Sequence, residues 1–107
     1  MKIIDVSKKF NIPLDTLRYY ERIGVLPTVK RDEKQRRNYT AKDCKALKFI
    51  QTMVKAQVPL ESLIDYMHLF CAGDTTKKAR KAIIQEETGK LKKRIKAIET
   101  AVEKLEK

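Results

Sequence analysis

The sequence predicts a mainly α-helical chain: a helix-turn-helix unit, a small charged hairpin or loop, two further amphipathic helices, and a long C-terminal helix. Three observations predict it. Apolar residues recur at three- and four-residue spacing along most of the chain, interrupted at Asn11, Pro13, Gly24, Pro27, Pro59 and Gly73, all residues that bound helices or make turns. The last third carries an alternating three-four apolar repeat, the spacing of a coiled-coil seam. Only Val29 to Tyr39 reads as extended at both ends, with a charged tip between.

Ile3, Val6 and Phe10 place a short first helix that stops at Asn11, a residue that tolerates the left-handed turn. Pro13 fits the first turn of a second helix, which runs to Ile23 and ends at Gly24. Leu14, Leu17, Tyr20 and Ile23 point this helix toward a core, and Thr16, Arg18, Tyr19 and Arg22 occupy its other faces. Tyr20 reads equally well as a packing residue or as a phosphate contact. Thr40 followed by Asp43 is an N-cap signature for a helix from Ala41 to about Gln57, with a stripe of Cys44, Leu47, Ile50 and Val54 widened by Phe49 and Met53. Pro59 opens the next helix, whose stripe is Leu60, Leu63, Ile64, Met67 and Phe70. From Thr75 to Lys107, Ile84, Leu91, Ile95, Ile98, Val102 and Leu105 form a seam that a lone helix leaves in water. A second copy of the chain is the simplest cover; the alternative is that the helix folds back on its own domain.

With 107 residues, the chain has room for one small domain plus an extended helix, not for a two-domain enzyme with a deep cleft. Its formal charge is +11. Residues 1–40 hold 10 basic and 5 acidic side chains, 41–73 hold 4 and 3, and 74–107 hold 11 and 6, so the middle is nearly neutral and both flanks are basic. Lys30 to Arg37, KRDEKQRR, contains no apolar residue. By itself it is either a solvated loop or a phosphate-contacting element. No apolar run approaches the ~20 residues that span a bilayer and no secretory signal opens the chain, so a cytoplasmic protein without a membrane partner is expected.

Cys44, Cys71 and the single His68 have no metal-ligand spacing, and no Gly-rich phosphate loop or catalytic constellation is present; no metal, cofactor or enzymatic activity is expected. Cys44 sits on an apolar stripe and reads as core. Cys71, near a helix end with lysines close in sequence, is a candidate thiol sensor beside the simpler reading of an inert thiol.

The stretch TLRYYERIGVLP (Thr16 to Pro27), the preceding IIDVSKKFNI, the Arg37-Asn38-Tyr39 triplet, DCKALKFIQ, and the Gly73-Asp74-Thr75 entrance to the long helix together resemble the MerR family of bacterial transcription regulators. The resemblance covers nearly the whole chain. It implies a winged helix-turn-helix domain over residues 1–73, its wing a small β-hairpin, and a dimerisation helix over 74–107 forming an antiparallel coiled-coil homodimer. Pro13 to Ile23 becomes the recognition helix. Thr16, Arg18 and Tyr19 become groove and phosphate contacts, with Tyr20 a backbone contact or packing residue. The wing carries Arg31, Lys34, Arg36, Arg37 and Tyr39, and Lys55 adds an outer phosphate contact. The implied partners are a pseudo-palindromic promoter in double-stranded DNA, which the regulator bends and untwists in response to a signal, and RNA polymerase through the promoter complex. Rival readings are an excisionase-type or architectural DNA-binding protein, which tends to lack the long helix, and a helical protein-interaction module.

Three positions depart from the family pattern, which commonly has Gly where this chain has Asn11, Gln35 and Gln57. Some family members also carry a cysteine near the position of Thr52.

Overall fold

Five helices account for the apolar spacing in a computed structural model describing residues 1–107: α1 (Ile3–Phe10), α2 (Leu14–Ile23), α3 (Ala41–Lys55), α4 (Leu60–Ala72) and α5 (Lys77–Glu106). A single 3-10 turn, Asp74–Thr76, introduces α5. α1 ends where Asn11 turns left-handed and returns its N–H to the Ser7 carbonyl. Pro13 caps α2 from just outside, its carbonyl accepting from Thr16 and Leu17. Gly24, at φ 83°, closes that helix.

Val6, Ile12, Leu17 and Tyr20 join the two short helices into the core, and Val25, Leu26 and Val29 fold the outgoing chain over them. Leu47 and Ile50 of α3 and Leu63 of α4 complete it. α3 begins with a reciprocal capping box: the Asp43 N–H donates to the Thr40 hydroxyl and the Thr40 N–H donates to the Asp43 carboxylate. Two ties fasten the outer elements. Gln51 donates to the Phe10 carbonyl at 2.7 Å, and Met1 and Tyr39 exchange main-chain hydrogen bonds of 2.7 and 2.8 Å.

The expected β-hairpin is not formed as paired strands. Arg31 and Arg37 make one isolated antiparallel bridge. The turn between them is closed by main-chain bonds, from the Asp32 N–H to the Arg36 carbonyl, the Gln35 N–H to the Asp32 carbonyl and the Asn38 N–H to the Lys30 carbonyl, with the Asp32 side chain adding to them. Beyond Asn38 the chain leaves the pairing because Tyr39 gives its main-chain groups to Met1. Two stripe residues also differ from expectation. Val54, in the last turn of α3, and Phe70, near the end of α4, are exposed. Cys44 is half-buried, its sulfur 4.0 Å from that of Met1.

α5 leaves the domain through a tightly bonded junction. Gly73 adopts φ 103°, ψ −169°, a region open essentially to glycine alone. Thr76 directs its hydroxyl at the Leu69 and Gly73 carbonyls, and Arg80 donates to that same hydroxyl oxygen at 3.1 Å. Farther along, Ser62 donates to the buried Glu87 carboxylate at 2.9 Å, and Arg94 donates to the Ala56 carbonyl at 2.9 Å. Ile84 and Leu91 are half-buried on this docked half of the helix. Folding back on the domain therefore holds for the first half of α5. Past Arg94 every residue is exposed, including Ile95, Ile98, Val102 and Leu105.

The non-glycine residues with positive φ are Asn11, Gln35 and Gln57, at 54°, 62° and 64°. These are the three positions where the family resemblance places glycine. A side chain in this region is strained by about 1 kcal/mol or more, so Gln57→Gly should stabilise the fold by about 0.5–1 kcal/mol, raising Tm by roughly 2–6 °C. A lower Tm in thermal denaturation would count against a left-handed Gln57.

Candidate nucleic-acid interface

Leu17, fully buried, and Tyr20, 9% exposed, fix the roll of α2 about its axis. That roll leaves Arg18, Tyr19 and Arg22 exposed and Thr16 at the rim. Arg18 reaches back to Asp15 at 3.3 Å in an exposed ion pair, and Arg22 stacks over the Tyr19 ring at 5.4 Å. Both cations are held by weak, solvent-exposed contacts that a stronger anion can displace. Tyr20 itself is buried against the core, and that burial raises its pKa.

In the wing, Asp32 organises the turn that lacks glycine. Its Oδ1 accepts from the main-chain N–H groups of Lys34 and Arg36, each at 2.9 Å, and its Oδ2 pairs with the Arg36 Nε at 3.3 Å. The hydrogen bond from the Arg36 main chain is the main reason its carboxyl titrates below the usual aspartate range, the Lys34 N–H and the Arg36 guanidinium adding to it. Arg31 donates to the Gln35 carbonyl at 3.0 Å. Arg31, Lys34 and Arg36 are exposed.

Arg37 is placed differently. Its Nε donates to both carboxylate oxygens of Glu21, at 3.0 and 3.4 Å, with the two side chains only 21% and 13% exposed. This ion pair clips the wing onto α2, and the Nη nitrogens of Arg37 have no partner within the chain. Tyr39, near enough to feel both charges, is 2% exposed, its hydroxyl buried without a hydrogen-bond partner. Burial, then the Glu21 carboxylate, raises its pKa. The structure thus brings α2 and the wing together through Glu21 and Arg37. Lys55 stands apart at the C-terminal end of α3, lining an open groove with Leu91, Arg94 and Ile98.

Glu21 is the residue that sequence reasoning missed. The available signal was an acid inside the basic stretch RYYER, with no basic partner at helical spacing except Arg18. Its actual partner is sixteen residues away.

Cys71 is exposed and Cys44 half-buried. No three His, Cys, Asp or Glu side chains converge as a metal site. No helix is long and apolar enough to cross a membrane.

Residues 1–69 match the family model described as MerR HTH family regulatory protein. The chain belongs to the MerR family. Over 91 residues it is 44% identical to the HTH-type transcriptional regulator AdhR of Bacillus subtilis, covering 85% of this chain and 65% of AdhR. It is 35% identical over 69 residues to the B. subtilis regulator YyaN, covering 64% of this chain and half of that protein. A crystal structure of a MerR family protein from Listeria monocytogenes superposes with a TM-score of 0.95 at 36% identity, covering 99% of this chain and 80% of that one. HiNmlR, a MerR family regulator lacking the sensor domain and solved bound to promoter DNA, superposes at 0.89 with 28% identity, covering 98% of this chain and 83% of its own. The MerR helix-turn-helix is therefore present here, followed by a bridged turn where the resemblance implied a β-hairpin wing.

Removing Glu21 strands a shielded guanidinium and frees the wing. Glu21→Ala should cost about 1–3 kcal/mol in denaturant unfolding, and an unchanged midpoint would show that the pair holds nothing. The wing turn has its own pH signature. Because Asp32 titrates low in the folded chain, its contribution is complete above the ordinary aspartate pKa and is lost as pH falls through its lowered value. The Lys34 and Arg36 amide resonances should then titrate with a midpoint below the ordinary aspartate range, and a midpoint within that range would contradict the turn geometry.

Proposed function

We propose that this MerR family chain is a dimeric, sequence-specific DNA-binding transcription regulator. The observation that carries the reading is the Glu21–Arg37 clip, which joins the exposed face of α2 to the basic wing as one continuous surface. A free-standing basic loop would carry charge but no register; a wing fixed to a helix offers phosphate contacts at set distances from base contacts. The DNA-bound structure of HiNmlR, similar over 98% of this chain, supports the same use of the fold.

In this reading, residues 1–73 form the DNA-binding unit and 74–107 the dimerisation helix. α2 enters the major groove, where Arg18 reads a base edge and Thr16 and Tyr19 bond the backbone. Arg31, Lys34 and Arg36 neutralise phosphates from the wing, and Lys55 adds an outer contact. Tyr20, Arg37 and Tyr39 position that surface from beneath, with the free Nη nitrogens of Arg37 within reach of a phosphate. The exposed seam Ile95, Ile98, Val102 and Leu105, continued from Ile84 and Leu91, pairs antiparallel with its twin and sets the spacing of two half-sites. A pseudo-palindromic promoter is the matching target. Its bending and untwisting under a signal, and the access this gives RNA polymerase, complete the proposal.

Mobility shift with the promoter beside the chain's own gene tests it directly, and unchanged migration at low salt would sink the DNA-binding reading. Arg18→Ala should weaken specific binding by about 1–3 kcal/mol, while Lys34→Ala should lower affinity for all sequences and reduce the salt slope by about 1. Assembly is tested separately: the intact chain should sediment as a dimer and Ile98→Glu as a monomer, and a wild-type monomer at micromolar concentration would refute the seam pairing.

A further inference from the structure

Between α3 and α4 lies a cavity of about 260 Å³ that the DNA-binding surface does not use. One face of α3 supplies Lys42, Lys45, Ala46 and Phe49, the i, i+3, i+4, i+7 spacing of a helix stripe. The Phe49 and Tyr66 rings stack at 5.1 Å and 30°, Met67 is buried beside them, and Phe70 stays 41% exposed. The aromatic wall is held in place from α5, whose Arg80 guanidinium lies 5.2 Å from the Phe70 ring centroid and 6.0 Å from that of Tyr66.

The charged residues lining this cavity are of one sign. Lys42 and Lys45 are exposed, and neither takes part in the ion pairs of the chain, which join Arg18, Arg36, Arg37 and Lys90 to their acids. An apolar, aromatic cavity flanked by two uncompensated ammonium groups is complementary to a molecule with an apolar body and one anionic end. The volume falls just under the ~300 Å³ lower edge of ordinary small-molecule sites, which restricts the body to one or two rings or a short alkyl chain.

We propose that the α3–α4 cavity binds a small amphipathic carboxylate, its apolar body against Phe49, Tyr66 and Phe70 and its carboxylate between Lys42 and Lys45. The site stands apart from the DNA-binding reading and is tested on the free protein. An occupant touches two rings that Arg80 of α5 already holds, so it lies against the junction between the domain and its long helix.

The test is a titration of the isotopically labelled full chain with 2-naphthoate, read by amide NMR shifts at fixed protein concentration. Saturable shifts are expected in Lys42–Phe49 and Tyr66–Arg80. The uncharged 2-naphthamide should bind at least about tenfold more weakly, and the Lys42→Glu, Lys45→Glu double variant should weaken naphthoate binding by at least about tenfold. Ala46→Phe, which fills the cavity, should abolish binding. If that variant fails to fold, the lysine variant decides, because both of its side chains are exposed. Absence of saturation at millimolar naphthoate, shifts mapping elsewhere, equal binding of the amide, or an unaffected lysine variant would each overturn the proposal. So would shifts at these residues that follow protein concentration without ligand, which would make a second copy of the chain the occupant.

Discussion

The arrangement of charge on this protein rests on one carboxylate. The wing from Lys30 to Arg37 has five basic residues in eight and no apolar side chain with which to anchor itself. Left to electrostatics, it would swing away from the arginines of α2. Glu21 reverses that by offering two oxygens to Arg37 where solvent is largely excluded and the attraction is poorly screened. Arginine suits the position, since engaging its Nε leaves the two Nη nitrogens of the planar fork without a partner in the chain. The same residue that holds the wing can thus face a second anion.

Below this surface the core is small and its alignment matters more than its size. Leu17 and Tyr20 set the rotation of α2, and Tyr39 fills the space under the ion pair while its main chain binds Met1. The buried Tyr39 hydroxyl gives up hydrogen bonding it would have had in water. That cost sits directly under the basic surface, where a functional constraint can outweigh a stability optimum.

What could be read in the sequence followed the reach of each signal. Local chemistry was legible: Asn11, Gly24, Thr40 with Asp43, and Pro59 all stand where their caps and turns require. Of the two readings of Val29 to Tyr39, hairpin or loop, the chain takes a turn with a single antiparallel bridge, because strand formation depends on a partner and the available partner for Tyr39 was the chain's beginning. Val54 and Phe70 lie on correct helical stripes, yet periodicity says which face is apolar and not how fully each residue of that face is covered. Glu21 was invisible for a similar reason: its role exists only once two elements sixteen residues apart meet. The glutamines at 35 and 57 show the reverse case, in which the backbone requirement of a turn persists although the residue best suited to it is absent.

The division of α5 into a docked and an undocked half makes its helicity a collective property. From Ile95 to Glu106 the helix runs about three turns with no contact to cover its apolar side chains. A segment of that length is marginal in water, because too few hydrogen bonds follow a costly nucleus. Here the nucleus is supplied by the anchored half, through Glu87 and Arg94, so the far half winds onto a helix already formed, through to Glu106. Covering Ile95, Ile98, Val102 and Leu105 would add burial to a segment that now rests on its own hydrogen bonds, and its helical stability would then be drawn from the same free energy as association. The stiffness of the helix as a spacer is therefore set by how fully its far end is covered.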